Sequence, residues 1–449
     1  MSLSLLARTG HPEWTAAPAR IVHLGLGGFF RAHAAWYTAH ADDADDWGIV
    51  GFSGHSHDLV DRLAGQDGLY TLTTRGNDRD TIEVVPSVVE VHPGTDTAAW
   101  RSALASPEVT VVTLTVTEAA YAPGPSSVAA RLVDGLVARR RADAGPVTLV
   151  PCDNIADNAS TLADAIRTTA ARLGGVDLGD RAHGEIGRGD VGLVEWIDSS
   201  VRVVGTVVDR ITPRPTPADE AAAAALGYVD AAPVVTEPFS EWIISGTFAA
   251  DRPDWESAGA QFVDDLAPYA RRKLHLLNGA HSLLAYAGLL RGHTEVANAL
   301  ADDGLADALR AWWDEAAPVV GGADDAQAAY RRALMRRFAN PRMHHALAQI
   351  AIDGATKLPV RVIPVARAEL AAGRSADAAA MILGAWVTYV RREGANLVDA
   401  RRDEVLAAAV GPLRDATHRL ITLLAPDLAD HDDFVGVAFD ASESRASYP

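Results

Sequence analysis

The sequence predicts an α/β protein with an N-terminal doubly wound sheet that carries additional strands, followed by an all-α C-terminal domain. In the first part of the chain, short β-branched segments alternate with helical segments, the order that builds a parallel sheet covered by helices. After residue 264 the β-branched segments give way to nearly continuous helical periodicity with abundant alanine. We therefore predict two domains, residues 1–265 and residues 266–449.

The composition argues against several classes of protein. Of the 449 residues, 48% are hydrophobic, which is enough to fill full-sized cores. There are 59 acidic and 40 basic residues, so the net charge is −19 and a nucleic acid or an anionic membrane would be repelled. The single cysteine, Cys152, rules out an internal disulfide and a cysteine-rich zinc site, and we expect no metal.

The sequence also predicts a protein of the cytoplasm. No apolar run reaches the roughly 18 residues that a membrane span needs. The N-terminal residues lack the basic start and apolar core of a signal peptide. We expect a monomer or a weak homo-oligomer that binds a small molecule.

A strand, a glycine-rich turn and a helix open the chain in the order of a Rossmann-type dinucleotide-binding unit. Residues 20–24 form the strand and residues 32–40 are helical, and glycines between them let the backbone approach a pyrophosphate at the helix N-terminus. Phe30 stands where the third glycine of the pattern is expected, and Arg31 is placed to contact a phosphate. An ordinary strand-to-helix turn is the alternative. The candidate cofactor-binding residues of this turn are Gly25, Gly27, Gly28, Phe29, Phe30 and Arg31.

Later strands end in polar residues that are suited to line a ligand site. The carboxyl ends of parallel strands meet at one edge of the sheet, where ligands bind. Ser53, rather than an acidic residue, follows the second strand, so the choice between NAD and NADP stays open. The predicted strands are residues 48–52, 109–117, 147–151 and 203–208, with residues 70–74 and 81–91 beside the main sheet. The polar residues at the strand ends are Thr117, Glu118, Asp153, Asn154, Asp209 and Arg210.

Residues 273–290 predict a buried helix whose few polar residues include Lys273, Asn278 and His281. At about 100° per residue, Asn278 lies roughly 140° from Lys273 and His281 falls between them, on one broad face. A buried ammonium is costly unless it is used, which favours a catalytic site. The alternative is a helix that starts at the surface with a solvated Lys273.

Several motifs of the chain occur in the same order in one known family. They are Ile21-Val-His-Leu-Gly-Leu-Gly-Gly-Phe-Phe-Arg-Ala-His33, Gln66-Asp-Gly-Leu-Tyr-Thr71, Leu114-Thr-Val-Thr-Glu118, Cys152-Asp-Asn154, Val208-Asp-Arg-Ile-Thr-Pro213, and Lys273 with Asn278 and His281. Together they resemble the long-chain polyol dehydrogenases, the mannitol dehydrogenase family. The resemblance implies a metal-independent hydride transfer between a nicotinamide cofactor and a sugar alcohol or sugar acid. It also implies that Lys273 is the general base, that Asn278 and His281 hold the reacting oxygen, and that Asn154 and Asp209 line the site.

The chemistry of alcohol oxidation fits these residue types. A base must take the hydroxyl proton as the hydride leaves, and donors must face the oxygen where negative charge develops. Burial lowers the pKa of a lysine and so suits it to be that base. Asn278 and His281 can donate to the alkoxide.

A segment further along the C-terminal domain indicates a substrate that carries a carboxylate. Lys357 and Arg361 occur together there, and either cation can bind the terminal carboxylate of a sugar acid. In the mannitol-specific enzymes an arginine stands at the position of Gln349, so this version resembles the branch of fructuronate reductases and D-mannonate oxidoreductases. The alternative role for Arg361 is a surface ion pair. The alternative functions are a mannitol 2-dehydrogenase or arabinitol dehydrogenase and, in another class, a non-catalytic NAD-binding sensor.

Overall fold

The computed structural model describes residues 3–54, 57–155, 157–175 and 192–443. The chain divides into two compact units, Met1–Leu266 and Ala267–Pro449. Every described strand belongs to the first unit, and the described elements of the second are helices. The predicted fold class, an α/β domain with a doubly wound sheet followed by an all-α domain, is confirmed.

A parallel sheet organises the N-terminal unit. The described strands are β1 (Ser4–Leu5), β2 (Ala19–Leu24), β3 (Gly48–Phe52), β4 (Tyr70–Arg75), β5 (Asp80–Val85), β6 (Val88–His92), β7 (Val111–Leu114), β8 (Val147–Pro151), β9 (Val201–Val203), β10 (Gly205–Asp209), β11 (Tyr228–Val229), β12 (Val234–Thr236), β13 (Glu241–Ser245) and β14 (Gln261–Phe262). Among these strands, the main sheet has the order β6-β3-β2-β7-β8-β9, and all its neighbours are parallel. The strand order reverses between β2 and β7. This is the Rossmann order, and it places a ligand crevice beyond the carboxyl ends of those two strands.

Helices cover both faces of the main sheet. The described α-helices of this unit are α1 (Gly28–Ala32), α2 (Ala34–His40), α3 (His57–Ala64), α4 (Thr97–Leu104), α5 (Val128–Arg141), α6 (Asn158–Gly175), α7 (Leu193–Ser200) and α8 (Pro217–Ala222). Successive side chains of a strand point to opposite faces, so neighbours on β2 join different cores. Ile21 packs in one core with Phe30 of α1, and Val22 packs in the other with Trp100 of α4.

Two of the predicted strands prove to be pairs of strands. Residues 81–91 form most of β5, which pairs with β4, and of β6, which is the edge strand of the main sheet rather than part of an excursion beside it. Residues 203–208 end β9 of the main sheet and begin β10, which pairs with β13 in a separate sheet. Residues 204–209 are all buried, so their pattern does not show where the chain changes partner. Asp209 therefore ends a strand outside the main sheet.

The C-terminal unit is built around one buried helix, α10. Its elements are α9 (Ala267–Arg272), a π-helix (Lys273–Gly279), α10 (Ala280–Leu290), α11 (Val296–Leu300), α12 (Asp303–Val320), α13 (Asp324–Phe338), α14 (Leu347–Ile350), α15 (Gly354–Arg361), α16 (Ile363–Ala371), α17 (Asp377–Glu393), α18 (Arg402–Ala408), α19 (Leu413–Leu424), α20 (Pro426–Ala429) and α21 (Asp432–Glu443). α10 is buried from Ala280 to Gly288 and contacts α11, α12, α14 and α17. Among the described residues, no helix is both long and apolar enough to cross a membrane.

The segment that carries Lys273 has a different helical register from the one predicted. Residues Lys273–Gly279 form a π-helix between α9 and α10, so the prediction of an α-helix is wrong there. In a π-helix each backbone N–H bonds the carbonyl five residues earlier, and such turns are frequent at functional sites. Lys273 and Asn278 are five residues apart. They therefore lie on the same side of the helix, closer in direction than the predicted α-helix would bring them.

Candidate active site

The glycine turn after β2 and the end of β7 line the crevice where the strand order reverses. Gly25 has a φ of 113°, and a Cβ there would lie 2.2 Å from the carbonyl oxygen of Thr115, so only glycine fits. Gly27 is exposed and caps α1, and nothing lies within 4 Å of the position of its missing Cβ. Gly28 and Phe29, both half-buried, begin the helix. Open space beside the first N–H groups of this helix fits the phosphate of a dinucleotide.

A buried histidine that the sequence did not single out anchors the glycine turn. The Nε2 of His23 lies 2.8 Å from the carbonyl oxygen of Gly25 and 3.1 Å from Thr115 Oγ1, and its Nδ1 lies 2.7 Å from Thr113 Oγ1. The imidazole stacks on Phe30 with ring centroids 3.5 Å apart. Burial lowers the pKa of His23 to about 3, so the ring is neutral and holds the turn through hydrogen bonds alone.

Two residues predicted to touch the cofactor point into the protein instead. Phe30 is fully buried in the core. Arg31 is also buried: its Nη1 donates to the carbonyl oxygen of Ala232 at 2.5 Å, and its guanidinium lies 5.3 Å from the centre of the Tyr70 ring. Burial lowers the pKa of Arg31 to about 10. Because Arg31 binds a backbone carbonyl and an aromatic ring inside the protein, the structure argues against the predicted contact with a phosphate.

The predicted polar residues at the ends of β7 and β8 lie at the carboxyl edge of the sheet. β7 ends at Leu114, earlier than the predicted residue 117, and the exposed Thr117 immediately precedes the 3-10 turn Glu118–Tyr121. The side chain of Glu118 is outside the described part of the chain. Asn154 is exposed just after β8. Ser53, at the end of β3, is buried and accepts the N–H of Gly94; residues 55 and 56, which follow in the same loop, lie outside the described residues.

Asp153 ties the segment after β7 to the end of β8. Its Oδ1 accepts the N–H of Val116 at 2.5 Å, and its Oδ2 accepts the hydroxyl of Tyr121 at 2.5 Å. Burial raises the pKa of Asp153 to about 6, although both hydrogen bonds act in the opposite direction. The carboxyl therefore shapes the loop that carries Thr117. Asp209 is buried at the end of β10, paired in register with Glu241.

The π-helix and the start of α10 carry the three predicted catalytic residues. Lys273 is half-buried, whereas Asn278 and His281 are buried. The carbonyl oxygen of Asn278 accepts the hydroxyl of Ser282 at 3.2 Å. The His281 ring packs against Phe338, with ring centroids 4.8 Å apart.

The surroundings of His281 are basic. Burial, followed by His345, Arg361, Arg337 and Lys273, lowers the pKa of His281 well below its ordinary value. The rings of His281 and His345 lie 5.0 Å apart at an angle of 89°. Burial and Arg337 lower the pKa of His345 to about 4, so both imidazoles are neutral near pH 7. Within the described residues, His281 Nε2 and His345 Nδ1 are buried without a hydrogen-bond partner, so each has a hydrogen-bonding position that a ligand can use.

The two cations predicted to bind a carboxylate differ in their surroundings. Arg361 ends α15, and its Nη1 lies 3.4 Å from the carbonyl oxygen of Asn278 and 3.3 Å from Ser282 Oγ. It is thus beside the predicted catalytic residues and not in a surface ion pair. The Lys357 ammonium donates to the carbonyl oxygen of Ile352 at 2.6 Å and to that of Ile350 at 3.4 Å. Two of its three donors are thus engaged with the backbone.

Sequence reasoning missed two residues of this cluster. Neither Arg337 nor His345 is among the predicted site residues. Both residues interact with His281, which lies more than 50 residues earlier in the chain. The interaction therefore depends on how α10 packs against the segment from α13 to α14. Nothing in the local pattern of either segment indicates such a contact. Gln349, which suggested the substrate class, is exposed on α14.

The fold and these residues define a two-domain dehydrogenase with a Rossmann-type domain and a helical domain. The chain matches the descriptions "Mannitol dehydrogenase Rossmann domain" over residues 19–257 and "Mannitol dehydrogenase C-terminal domain" over residues 265–440. It therefore belongs to the mannitol dehydrogenase family, as the sequence motifs predicted. It is a dehydrogenase that acts on the CH–OH group of a polyol or a sugar acid.

Relatives with different substrates resemble the chain to similar degrees. The D-mannonate oxidoreductase of Escherichia coli is 32% identical and covers 95% of this chain and 93% of its own. The D-arabinitol 4-dehydrogenase of Ralstonia nicotianae is 31% identical and covers 81% of each chain. The structure of Pseudomonas fluorescens mannitol 2-dehydrogenase in a ternary complex with NAD and D-mannitol has a TM-score of 0.83 at 29% identity, covering 98% of this chain and 94% of that one.

Proposed function

We propose that this dehydrogenase transfers a hydride between a nicotinamide cofactor and a hexonate, in the class of D-mannonate and its ketone D-fructuronate. The observation that carries the proposal is the basic cluster around His281, in which Arg337 and Arg361 are the cations near pH 7 and Lys273 and the neutral His345 lie beside them. A carboxylate forms strong, charge-assisted hydrogen bonds with such cations, whereas a neutral polyol gains little from them. The similarity to a D-mannonate oxidoreductase supports the same substrate class.

Lys273 serves as the general base in this proposal. In oxidation its neutral amine takes the hydroxyl proton while the hydride leaves the same carbon, and the products are a ketone, the reduced cofactor and an ammonium. In reduction the ammonium returns that proton to the oxygen. Three observations support this role: Lys273 is half-buried, the neighbours of His281 are basic, and the π-helix brings Lys273 and Asn278 to the same side.

Asn278 and His281 stabilise the oxygen on which charge develops. The lowered pKa of His281 keeps its imidazole neutral, and the buried Nε2 can then present an N–H to an alkoxide without adding a charge. The side-chain amide of Asn278 provides a second donor. Donors fixed in advance by buried helices need little rearrangement as the reaction proceeds.

The cofactor in this proposal is NAD. NADP stays open, because Ser53 occupies the position after the second strand where an acidic residue would favour NAD. The exposed Gly27 at the start of α1 would hold the pyrophosphate, and Thr117, Glu118 and Asn154 would line the crevice at the ends of β7 and β8. When bound, the nicotinamide supplies or accepts the hydride. Asn154 and Asp209 are the residues of the N-terminal unit that we assign to the substrate.

Steady-state kinetics of the purified protein test this proposal. We expect kcat/KM for D-mannonate with NAD to exceed that for D-mannitol and D-arabinitol by at least about tenfold, the effect of one charge-assisted hydrogen bond. The same panel with NADP determines the cofactor. The named relatives favour mannitol or arabinitol as the second candidate substrates. Turnover of the neutral polyols alone would contradict the role that we assign to the basic cluster.

A further inference from the structure

The π-helix that carries Lys273 is held by two consecutive tryptophans of α12. The Nε1 of Trp312 donates to the carbonyl oxygen of His275 at 2.9 Å, and the Nε1 of Trp313 donates to that of Leu276 at 2.8 Å. Both tryptophans are buried in the core of the C-terminal unit. Two adjacent carbonyls in the middle of the π-helix thus each accept an indole N–H from the same neighbouring helix.

Close packing at Gly279 adds a second restraint on the same segment. A Cβ at Gly279, the last residue of the π-helix, would lie 2.5 Å from Trp312 Cζ2. The absence of a side chain therefore lets the indole lie directly against the helix backbone. His275 Nδ1 also lies 3.0 Å from the carbonyl oxygen of Arg361, which ties the π-helix to the end of α15.

The two indole contacts are made with the segment in the π register. An α-helix is the more common structure for such a leucine-rich segment, so a π-helix of seven residues needs support from its surroundings. A change to the α register would rotate the carbonyls of His275 and Leu276 and leave two buried indole N–H groups without acceptors. Buried donors without partners are costly, and the two tryptophans therefore oppose the change.

We propose that Trp312 and Trp313 are positioning residues for the reaction, because they hold Lys273 and Asn278 on the same side of the helix through the π register. This inference rests on the proposed function of Lys273 as the base. If the register relaxed, Lys273 and Asn278 would separate around the helix axis, and the base and the oxygen donor would no longer meet the same substrate oxygen. The two indoles act only through the π-helix backbone.

Removal of each indole N–H tests this role. Trp312→Phe and Trp313→Phe keep an aromatic ring but delete the donor. Trp100→Phe is the matched control, because Trp100 is also buried and its Nε1 donates to a helix carbonyl, that of Arg131, at 2.9 Å in the N-terminal unit. Benzothienylalanine at position 312, 313 or 100 is a milder replacement that keeps the bicyclic ring and lacks only the N–H.

We expect kcat of the Trp312 and Trp313 variants to fall by roughly ten- to a hundredfold, as small misplacements of reacting groups do. KM for both substrates should change little, and the kinetic isotope effect on kcat, measured with substrate deuterated at the reacting carbon, should rise because hydride transfer becomes slower. The control should lose thermal stability to a similar extent but keep its kcat and isotope effect.

Two outcomes are distinguished by the comparison. The inference is overturned if, in variants that remain folded by circular dichroism, the changes at positions 312 and 313 lower kcat no more than those at position 100. Where a phenylalanine variant does not fold, the benzothienylalanine protein provides the same comparison. Lys273→Met is measured in parallel, and unchanged turnover in that variant would instead refute the proposed function.

Discussion

Replacement of Arg361 by glutamine tests whether the enzyme recognises a carboxylate. Burial lowers the pKa of Arg361 to about 10, so its guanidinium is charged near pH 7 but poorly solvated. A substrate carboxylate would compensate that loss of solvation. The contacts of Nη1 with the Asn278 carbonyl and Ser282 Oγ, at 3.4 and 3.3 Å, are long for hydrogen bonds and hold the side chain beside the π-helix.

The size of the effect follows from the loss of one charge-assisted interaction. Such hydrogen bonds contribute about 1.5–3 kcal/mol, so Arg361→Gln should lower kcat/KM for D-mannonate by roughly 10- to 150-fold. The variant also loses the two long contacts with Asn278 and Ser282. That loss affects every substrate alike, and we expect it to lower kcat/KM for D-mannitol by less than about fivefold. The ratio of kcat/KM for D-mannonate to kcat/KM for D-mannitol therefore measures the effect of the substrate carboxylate alone.

The assay follows the absorbance of the reduced nicotinamide with both substrates for the wild type and three variants. Arg361→Lys keeps the charge but not the forked geometry, and it should recover part of the ratio. Arg367→Gln removes an exposed arginine that pairs with Asp427 at 2.7 Å, and it should leave the ratio unchanged. A ratio in Arg361→Gln within about twofold of the wild type would refute carboxylate recognition by this residue.

Two further predictions concern the cofactor-binding edge. His23→Leu removes the hydrogen bonds of His23 to Thr113 and to the Gly25 turn, so it should lower the free energy of unfolding by about 1–3 kcal/mol and raise KM for NAD, with kcat little changed. Because the folded pKa of His23 is about 3 and an unfolded histidine titrates near 6.5, acidification below about pH 6.5 destabilises the wild type through this residue, and calorimetry of His23→Leu should show a weaker loss. Asp153 affects the pH dependence of stability in the opposite direction. Its folded pKa, about 6, is above the ordinary 3.8, so the folded state binds the proton more tightly than the unfolded state. The folded state therefore gains stability as the pH falls from about 6 to 3.8. Asp153→Asn should remove this gain, and an unchanged pH dependence of the melting temperature would contradict the assignment.

The sequence predicted the fold class because the two units differ in their periodicity. The β-branched segment of residues 109–117 and the apolar helix 273–290 are strong local signals, and both correspond to buried elements. The change of sheet between β9 and β10 could not be predicted, since residues 204–209 are all buried and only the hydrogen-bond partners differ.

The sequence indicates which residues belong to the candidate site, but not how they are arranged in space. Lys273, Asn278 and His281 follow from a motif within nine residues of chain. The π register of that motif depends on Trp312 and Trp313, which lie further along the chain, so it has no local signature. The same is true of His345, which meets His281 only through the packing of the C-terminal unit.

Turnover by Lys273→Arg, compared with cofactor binding by the same variant, tests the central claim most directly. Arginine keeps the positive charge but does not give up its proton, so it separates a base from a mere cation. We predict that kcat falls by at least roughly a hundredfold, the contribution of a general base, while the dissociation constant for NADH measured by fluorescence titration stays nearly the same. Turnover close to that of the wild type would contradict the assignment of Lys273 as the base, and a wild-type protein that binds NADH but turns over none of the three sugars would favour a sensor.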